Sequence, residues 1–153
     1  MKKNEANILT HLRRNARESL VKIKDNTGMP LSTIYDKLRK LEENYIKKHT
    51  SLLDFEKLGF KTRANIAISV EKNDREPLLK FIKECAFVNT ANKINHEFDF
   101  MIEGVFKDYE HMKLFIEELD EKFKIKDTQI HHLLECIKHE ELLSDTEHVK
   151  HLK

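Results

Sequence analysis

Two stretches of this chain carry side chains at spacings that could do chemistry. The first is TGMPLSTIYDKLRKLEE, Thr27 to Glu43. Ile34, Leu38 and Leu41 fall at i, i+4 and i+7, an inward stripe on a helix. Ser32, Thr33, Tyr35, Asp36, Lys37, Arg39 and Lys40 fill the other positions. That polar side is either a solvated surface or a face built to lie in the major groove of DNA. In a groove, hydroxyls meet donor or acceptor base edges, and a guanidinium takes guanine O6 and N7 together. Arg39 suits a guanine or a phosphate. Lys37 and Lys40, with Lys47 and Lys48 beyond, suit phosphates, which set affinity and register rather than sequence preference.

The second stretch, HHLLECIKH from His131 to His139, invites a metal. On a strand, His131 and His132 face opposite ways, and Cys136 lies about 12 Å or more from His132 at about 3.3 Å per residue. A single strand cannot close zinc bonds of about 2.0–2.3 Å with that set, so no metal site is expected. The chain has no nucleophile elbow, phosphate loop or HExxH motif. Glu97 and Asp99 are acidic neighbours, but a carboxylate pair in a turn is usually solvated. The reading is of a protein that is not an enzyme, with no catalytic residue and no cofactor.

The elements that must position these residues come from a polar but globular chain. It has 153 residues, 39% apolar and 36% charged, enough for one ordinary domain or two small ones. With 3 Gly and 2 Pro, long irregular loops are not expected. No apolar run spans a bilayer, and MKKNEANI lacks the apolar core of a signal peptide, so the expected compartment is the cytoplasm. Cys85 and Cys136 are then expected to be reduced core residues. The net charge of +1 hides a division: residues 1–63 carry 15 Lys+Arg against 8 Asp+Glu, and residues 64–153 carry 13 against 19. A basic first part favours a polyanion as its partner.

The first part reads as three helices. The first runs over Glu5 to Asn15 with Ile8, Leu9 and Leu12 on one face. Ser19 can cap the second, which carries Leu20 and Ile23 and ends at Thr27-Gly28. The third starts near Pro30 or Leu31, since proline is tolerated only in a first turn. YIKKHTSLL, Tyr45 to Leu53, reads as a short strand or wing. LDFEKLGF, Leu53 to Phe60, reads as a hinge with a helical turn ended by Gly59. Alternation then predicts a strand through Ile66, Ile68 and Val70. A helix follows from Asp74, its cap, to Cys85. Strands are expected over Phe87 to Ile94 and from Phe98 to Phe106, joined by a tight turn at Asn95-His96-Glu97. A helix over Asp108 to Phe123 and a strand over Asp127 to Ile137, with Ile130, Leu134 and Cys136, complete the order. Strand–helix–strand–strand–helix–strand is the split βαβ, ferredoxin-like arrangement. Its strands are too apolar for the second sheet face to be entirely wet, which points to self-association.

These residues resemble the Lrp/AsnC family of feast/famine transcription regulators, over positions 5 to about 140, and the lay-out looks most like archaeal members. ARESLVKIKDNTGMPLSTIYDKLRKLEENYIKKHT follows the family's helix-turn-helix pattern, LDFEKLGF its hinge, and INHEFDFMIEGV its second module. The resemblance implies an α+β protein: a winged helix-turn-helix followed by a ferredoxin-like βαββαβ module that responds to ligands. It also implies dimers formed through the sheets, often assembled to tetramers or octamers. Arg17 matches the family's arginine between the first two helices. Pro30 replaces the serine that usually caps the third helix, leaving Thr27 or solvent to serve its N–H groups. His96 stands where family members have a glycine, followed by Glu97, Phe98 and Asp99. By the resemblance, Asp99 could receive an effector's ammonium group, with His96, Glu97 and Thr128 around it; Ile130 replaces a family threonine.

The domains read as 1–52, winged helix-turn-helix; 53–62, hinge; 63–143, effector and oligomerisation module; and 144–153, tail. The expected function is a sequence-specific DNA-binding transcription regulator, dimeric or larger, modulated by an amino acid or other small metabolite between subunits. The alternatives are an effector-independent architectural DNA-binding protein and a metabolite sensor that binds no DNA.

Overall fold

The computed structural model describes residues 2–145 and residue 147. The described residues divide into two compact units: a helical unit of those up to Leu52 with those from Ile137 to Asp145, and a sheet unit, Leu53–Cys136.

The helical unit holds α1 (Lys3–Arg14), α2 (Leu20–Thr27) and α3 (Leu31–Asn44). The backbone N–H of Lys2 donates to the Glu5 carboxylate at 2.9 Å, closing the first turn of α1. Ser19 caps α2, its Oγ accepting from the Lys22 N–H at 3.3 Å. Gly28 ends α2 at φ 69°, a left-handed conformation that costs a glycine nothing. No side chain caps α3, which follows Pro30 directly. Thr27 serves the turn instead: its Oγ1 donates to the Ile23 carbonyl at 2.6 Å and accepts from the Met29 N–H at 3.4 Å. Ile8, Leu12, Ile23, Met29, Ile34 and Leu41 form the buried core, with Leu9, Leu20, Leu38 and Ile46 packed on its rim. Each fully buried aliphatic side chain contributes about 1.5–3 kcal/mol before entropy is counted.

In the sheet unit, a turn over residues 55–59 leads to β1 (Thr62–Val70), a short 3-10 turn (Lys72–Asp74), α4 (Arg75–Glu84), β2 (Val88–Lys93), β3 (Phe100–Phe106), α5 (Tyr109–Lys122) and β4 (Ile125–His132). The sheet order is β2-β3-β1-β4, with every neighbouring pair antiparallel. The helix-facing residues of the central strands, Ala64, Ile66, Ile68 and Val70 with Phe100, Ile102 and Phe106, pack against Leu78, Ile82, Met112, Phe115 and Leu119. Gly104 sits in this row because the Phe106 ring needs its space: a Cβ there would lie 2.4 Å from that ring. Asp108 caps α5 by accepting from the His111 N–H at 2.8 Å.

Several expectations are corrected. The wing over Tyr45–Leu53 does not form; among the described residues the helical unit has no strand. A strand needs a ladder partner, and the basic run at Lys47, Lys48 and His49 finds none there. The last strand starts at Ile125 and ends at His132, not Ile137. Its partner β1 runs out: the final rung is the Leu133 N–H donating to the Arg63 carbonyl at 2.8 Å. Leu134 is therefore exposed, as is Cys136, which is no core residue; Cys85 is half-buried at the core margin. Phe98 precedes β3 rather than lying on it. Asp74 makes no cap bond to α4 and instead accepts from the Lys124 N–H at 2.8 Å. Residues 137–143, grouped by sequence with the second module, lie in the helical unit. Contacts from Arg13 to Glu140 and Leu142 draw them there.

Candidate nucleic-acid interface and effector site

Ile34 and Leu41 anchor α3 in the small core, and Leu38 packs at its edge. Turning by 100° per residue, the helix then presents Ser32, Tyr35, Asp36, Arg39 and Lys40 outward, all exposed. Thr33 lies at the border of that face, half-buried. Tyr35 is 61% exposed, much like Tyr45 and Tyr109, and leaves its phenol open to a partner. Arg39 pairs with Glu43 one turn on at 3.1 Å, but both are exposed, and such surface pairs contribute little and exchange readily. Asp36 and Glu43 offset Arg39 and Lys40, so the outward face is close to neutral, and the positive surplus of the unit lies around it.

Lys37 is not part of this face. It is half-buried and lies 3.9 Å from Glu5, tying α3 to α1. The Glu5 carboxyl sits below its ordinary value, held first by the Lys2 backbone N–H, against burial, with Lys37 and Lys2 adding positive charge. Lys47 and Lys48 are exposed in the irregular segment after α3. His49 on that segment lies 3.2 Å from Glu42 of α3.

The hold between α1 and α2 is one that sequence reading missed. Glu18, its side chain 8% exposed, meets His11 Nδ1 at 2.7 Å and Lys22 Nζ at 3.0 Å. The Lys22 hydrogen bond holds the Glu18 carboxyl below its ordinary value, against burial and with help from His11. Arg17, between them, lies in the exposed turn, where its N–H donates to Asn15 Oδ1 at 3.0 Å.

In the sheet unit, His96 occupies the turn between β2 and β3 at φ 71°, a left-handed conformation that histidine adopts at a cost. His96 and Glu97 are exposed. Asp99 is 16% exposed at the side chain and already engaged on both oxygens. Oδ2 accepts from the Val70 N–H at 3.0 Å, and Oδ1 meets the Arg75 guanidinium at 2.8 Å. Thr128 lies across the central strand: it pairs with Ile68, whose carbonyl accepts from the Asp99 N–H at 2.9 Å. Two strand spacings, about 10 Å, separate its backbone from that of β3. Asp99, Val70 and Arg75 thus come together, while Thr128 stands apart. No spacing rule points from Asp99 to Arg75, which belongs to a different element.

On the sheet face away from the helices, Arg63 and Glu103 form an ion pair with side chains 24% and 15% exposed. Asn89 donates to the same carboxylate at 2.9 Å, and the Arg63 guanidinium lies 5.3 Å from the centre of the Phe55 ring. Burial pushes the Glu103 carboxyl up, but hydrogen bonds from Arg63, Asn89 and Thr90 outweigh it and bring it below its ordinary value. This face is mixed rather than apolar, with Asn65, Gln129 and His131 in the same registers. His131 and His132 pair with Asn65 and Ala64, on opposite faces.

No protein-family model matches the chain. It is 26% identical over 132 residues to an uncharacterized HTH-type transcriptional regulator of Pyrococcus furiosus, a match that covers 86% of this chain and 89% of that one. Among solved structures, a transcriptional regulator of Neisseria meningitidis in complex with L-Met superposes with a TM-score of 0.84 at 22% identity, covering 91% of this chain and 93% of that one. LrpC of B. subtilis gives 0.83 at 19% identity, over 90% and 97% of the two chains. AsnC of E. coli gives 0.80 at 17% identity, over 91% and 95%. This chain has the architecture of the Lrp/AsnC transcription regulators, and over most of its length it is related to an archaeal helix-turn-helix regulator.

Proposed function

We propose that this chain is a DNA-binding transcription regulator that lays α3 in the major groove. The observation that carries the reading is the α2–Gly28–α3 arrangement. A buried stripe fixes α3, and an outward face of hydroxyl, phenol, carboxylate and guanidinium groups is left without a core role. Ser32, Thr33, Tyr35 and Asp36 meet base edges, and Arg39 takes a guanine. Lys40, Lys47 and Lys48 meet phosphates, while Lys37 positions α3 from behind. The working form is a dimer or larger assembly that presents two copies of α3 to one face of the duplex. The relatives are transcription regulators rather than enzymes, and no reaction is assigned.

The test is quantitative binding to a duplex from the chain's own upstream region, compared with a scrambled duplex of equal length. The expected result is tighter binding to the first, with Arg39→Ala costing about 1–3 kcal/mol of that discrimination. Equal binding to both would leave an architectural role; no binding to either at low salt would refute the reading.

The effector half divides into two readings. The Neisseria regulator is known in complex with L-Met, which supports an amino acid here, near His96, Glu97, Asp99 and Thr128. An effector-independent regulator is favoured by Asp99, whose two oxygens are taken by Arg75 and the Val70 N–H. A thermal-shift screen of the amino acids separates them. A ligand at about 100 times its Kd adds about 2.7 kcal/mol and raises the midpoint visibly. No shift with any amino acid would leave the effector-independent reading.

A further inference from the structure

The last described residues turn back onto the end of α1. Arg13 Nε donates to the Leu142 carbonyl at 2.9 Å, and its terminal nitrogen donates to the Glu140 carboxylate at 2.9 Å and to the Glu140 carbonyl. Arg14 Nε donates to the Ser144 carbonyl, and its terminal nitrogen lies 3.6 Å from Asp145. Both guanidiniums are thus surrounded by carbonyl and carboxylate oxygens from one short segment. The segment bends to deliver them: Glu140 and Leu143 adopt φ of 55° and 63°, conformations that side-chain-bearing residues enter at a cost. Ser144 Oγ, donating to the Glu141 carbonyl at 2.8 Å, closes the bend.

We propose that Arg13 and Arg14 are a phosphate-binding edge of the helical unit, and that the segment Glu140–Asp145 occupies them in the free chain as an internal substitute for the DNA backbone. The proposal rests on the DNA-binding reading above. Its chemistry is that of the guanidinium fork, which takes paired oxygens of a carboxylate or a phosphate in the same geometry but not both at once. The two arginines end α1, and only the turn carrying exposed Arg17 separates them from α2, the first helix of the pair. A duplex seated on α3 supplies many phosphates, whereas the segment supplies two carboxylates from a strained backbone. Docking therefore displaces the segment, and displacement lowers the observed affinity.

The test uses four full-length proteins: wild type, Glu140→Gln with Asp145→Asn, Arg13→Ala with Arg14→Ala, and the combination. Each is titrated with the upstream duplex at several salt concentrations. The segment substitutions are expected to raise affinity about three- to tenfold with both arginines present and to change nothing without them; such non-additivity is the signature of coupled groups. The arginine substitutions are expected to reduce the slope of log K against log salt by up to about 1.8, at about 0.9 for each phosphate no longer neutralised. Equal effects of the segment substitutions in both backgrounds, or no effect, would overturn the proposal while DNA binding itself stood. Absence of DNA binding by wild type would overturn both readings. A measurement on wild type alone guards against misfolded variants: amide exchange over residues 139–145 should speed up when the upstream duplex saturates the protein. Unchanged or slower exchange would overturn the displacement.

Discussion

The helical unit and the sheet unit spend their charged residues differently. The helical unit has a small core of six buried apolar side chains and leaves most of its cations at the surface, in exchangeable pairs or facing solvent. The sheet unit has a core twice as large and fastens its best-shielded carboxylates, Asp99 and Glu103, to arginines of the same unit. Charges kept loose are available to a partner; charges locked in pairs serve the fold. By this comparison, the helical unit keeps charges free for a polyanion, and the sheet unit uses its shielded charges to hold its own fold.

Four variants break or sharpen the contrast. The largest effect is expected from Ile34→Ala, which empties the middle of the small core at a cost of about 2–5 kcal/mol. In hydrogen exchange, α1 to α3 should lose protection while β1 and β3 keep theirs. Equal loss in both units would mean that they do not hold their stability separately. Next is Gly104→Ala, whose methyl collides with the Phe106 ring, at about 1–3 kcal/mol. Urea denaturation reads it, and a neutral result would show that the ring moves freely.

Glu103→Gln should cost about 1–2 kcal/mol at pH 7, since it removes a charge-assisted hydrogen bond in a half-shielded site. Its pH dependence has a definite sign. The folded-state carboxyl lies below its ordinary value of 4.5, so its contribution is complete above that value and is lost as pH falls through the folded value. The gap between wild type and Glu103→Gln should therefore be flat near neutrality and close in acid. A gap that widened in acid would contradict the assignment. The smallest effect on stability is expected from Lys47→Ala with Lys48→Ala, within about 0.5 kcal/mol of wild type. The same pair should reduce the salt slope of DNA binding by up to about 1.8. A destabilised protein with an unchanged slope would make these lysines structural.

Much of the architecture was legible in the residues because period and punctuation agree. Ile34, Leu38 and Leu41 at helical spacing, Gly28 at the turn, and the alternation through Ile66, Ile68 and Val70 each name one element. What was illegible depends on partners distant in sequence. The wing over Tyr45–Leu53 has strand-forming residues but no ladder to join. The last strand stops where β1 stops, which no local pattern marks. Asp99 reads as an open carboxylate until Arg75 is brought beside it. No local spacing pairs Arg13 with Glu140 or Arg14 with Asp145, which lie most of the chain away in sequence. For the candidate interface, the exposed residues of α3 were legible because the inward stripe determines the outward face; Lys37, half-buried beside Glu5, was the exception.

The central claim is that α3 reads DNA from a paired assembly, and a footprint on the upstream region tests it most directly. The account predicts protected patches on one face of the duplex, their centres about 10–10.5 base pairs or a multiple apart. They should fade together with Arg39→Ala and persist when the scrambled duplex is added as competitor. Uniform protection without register, or no protection at low salt, would contradict it.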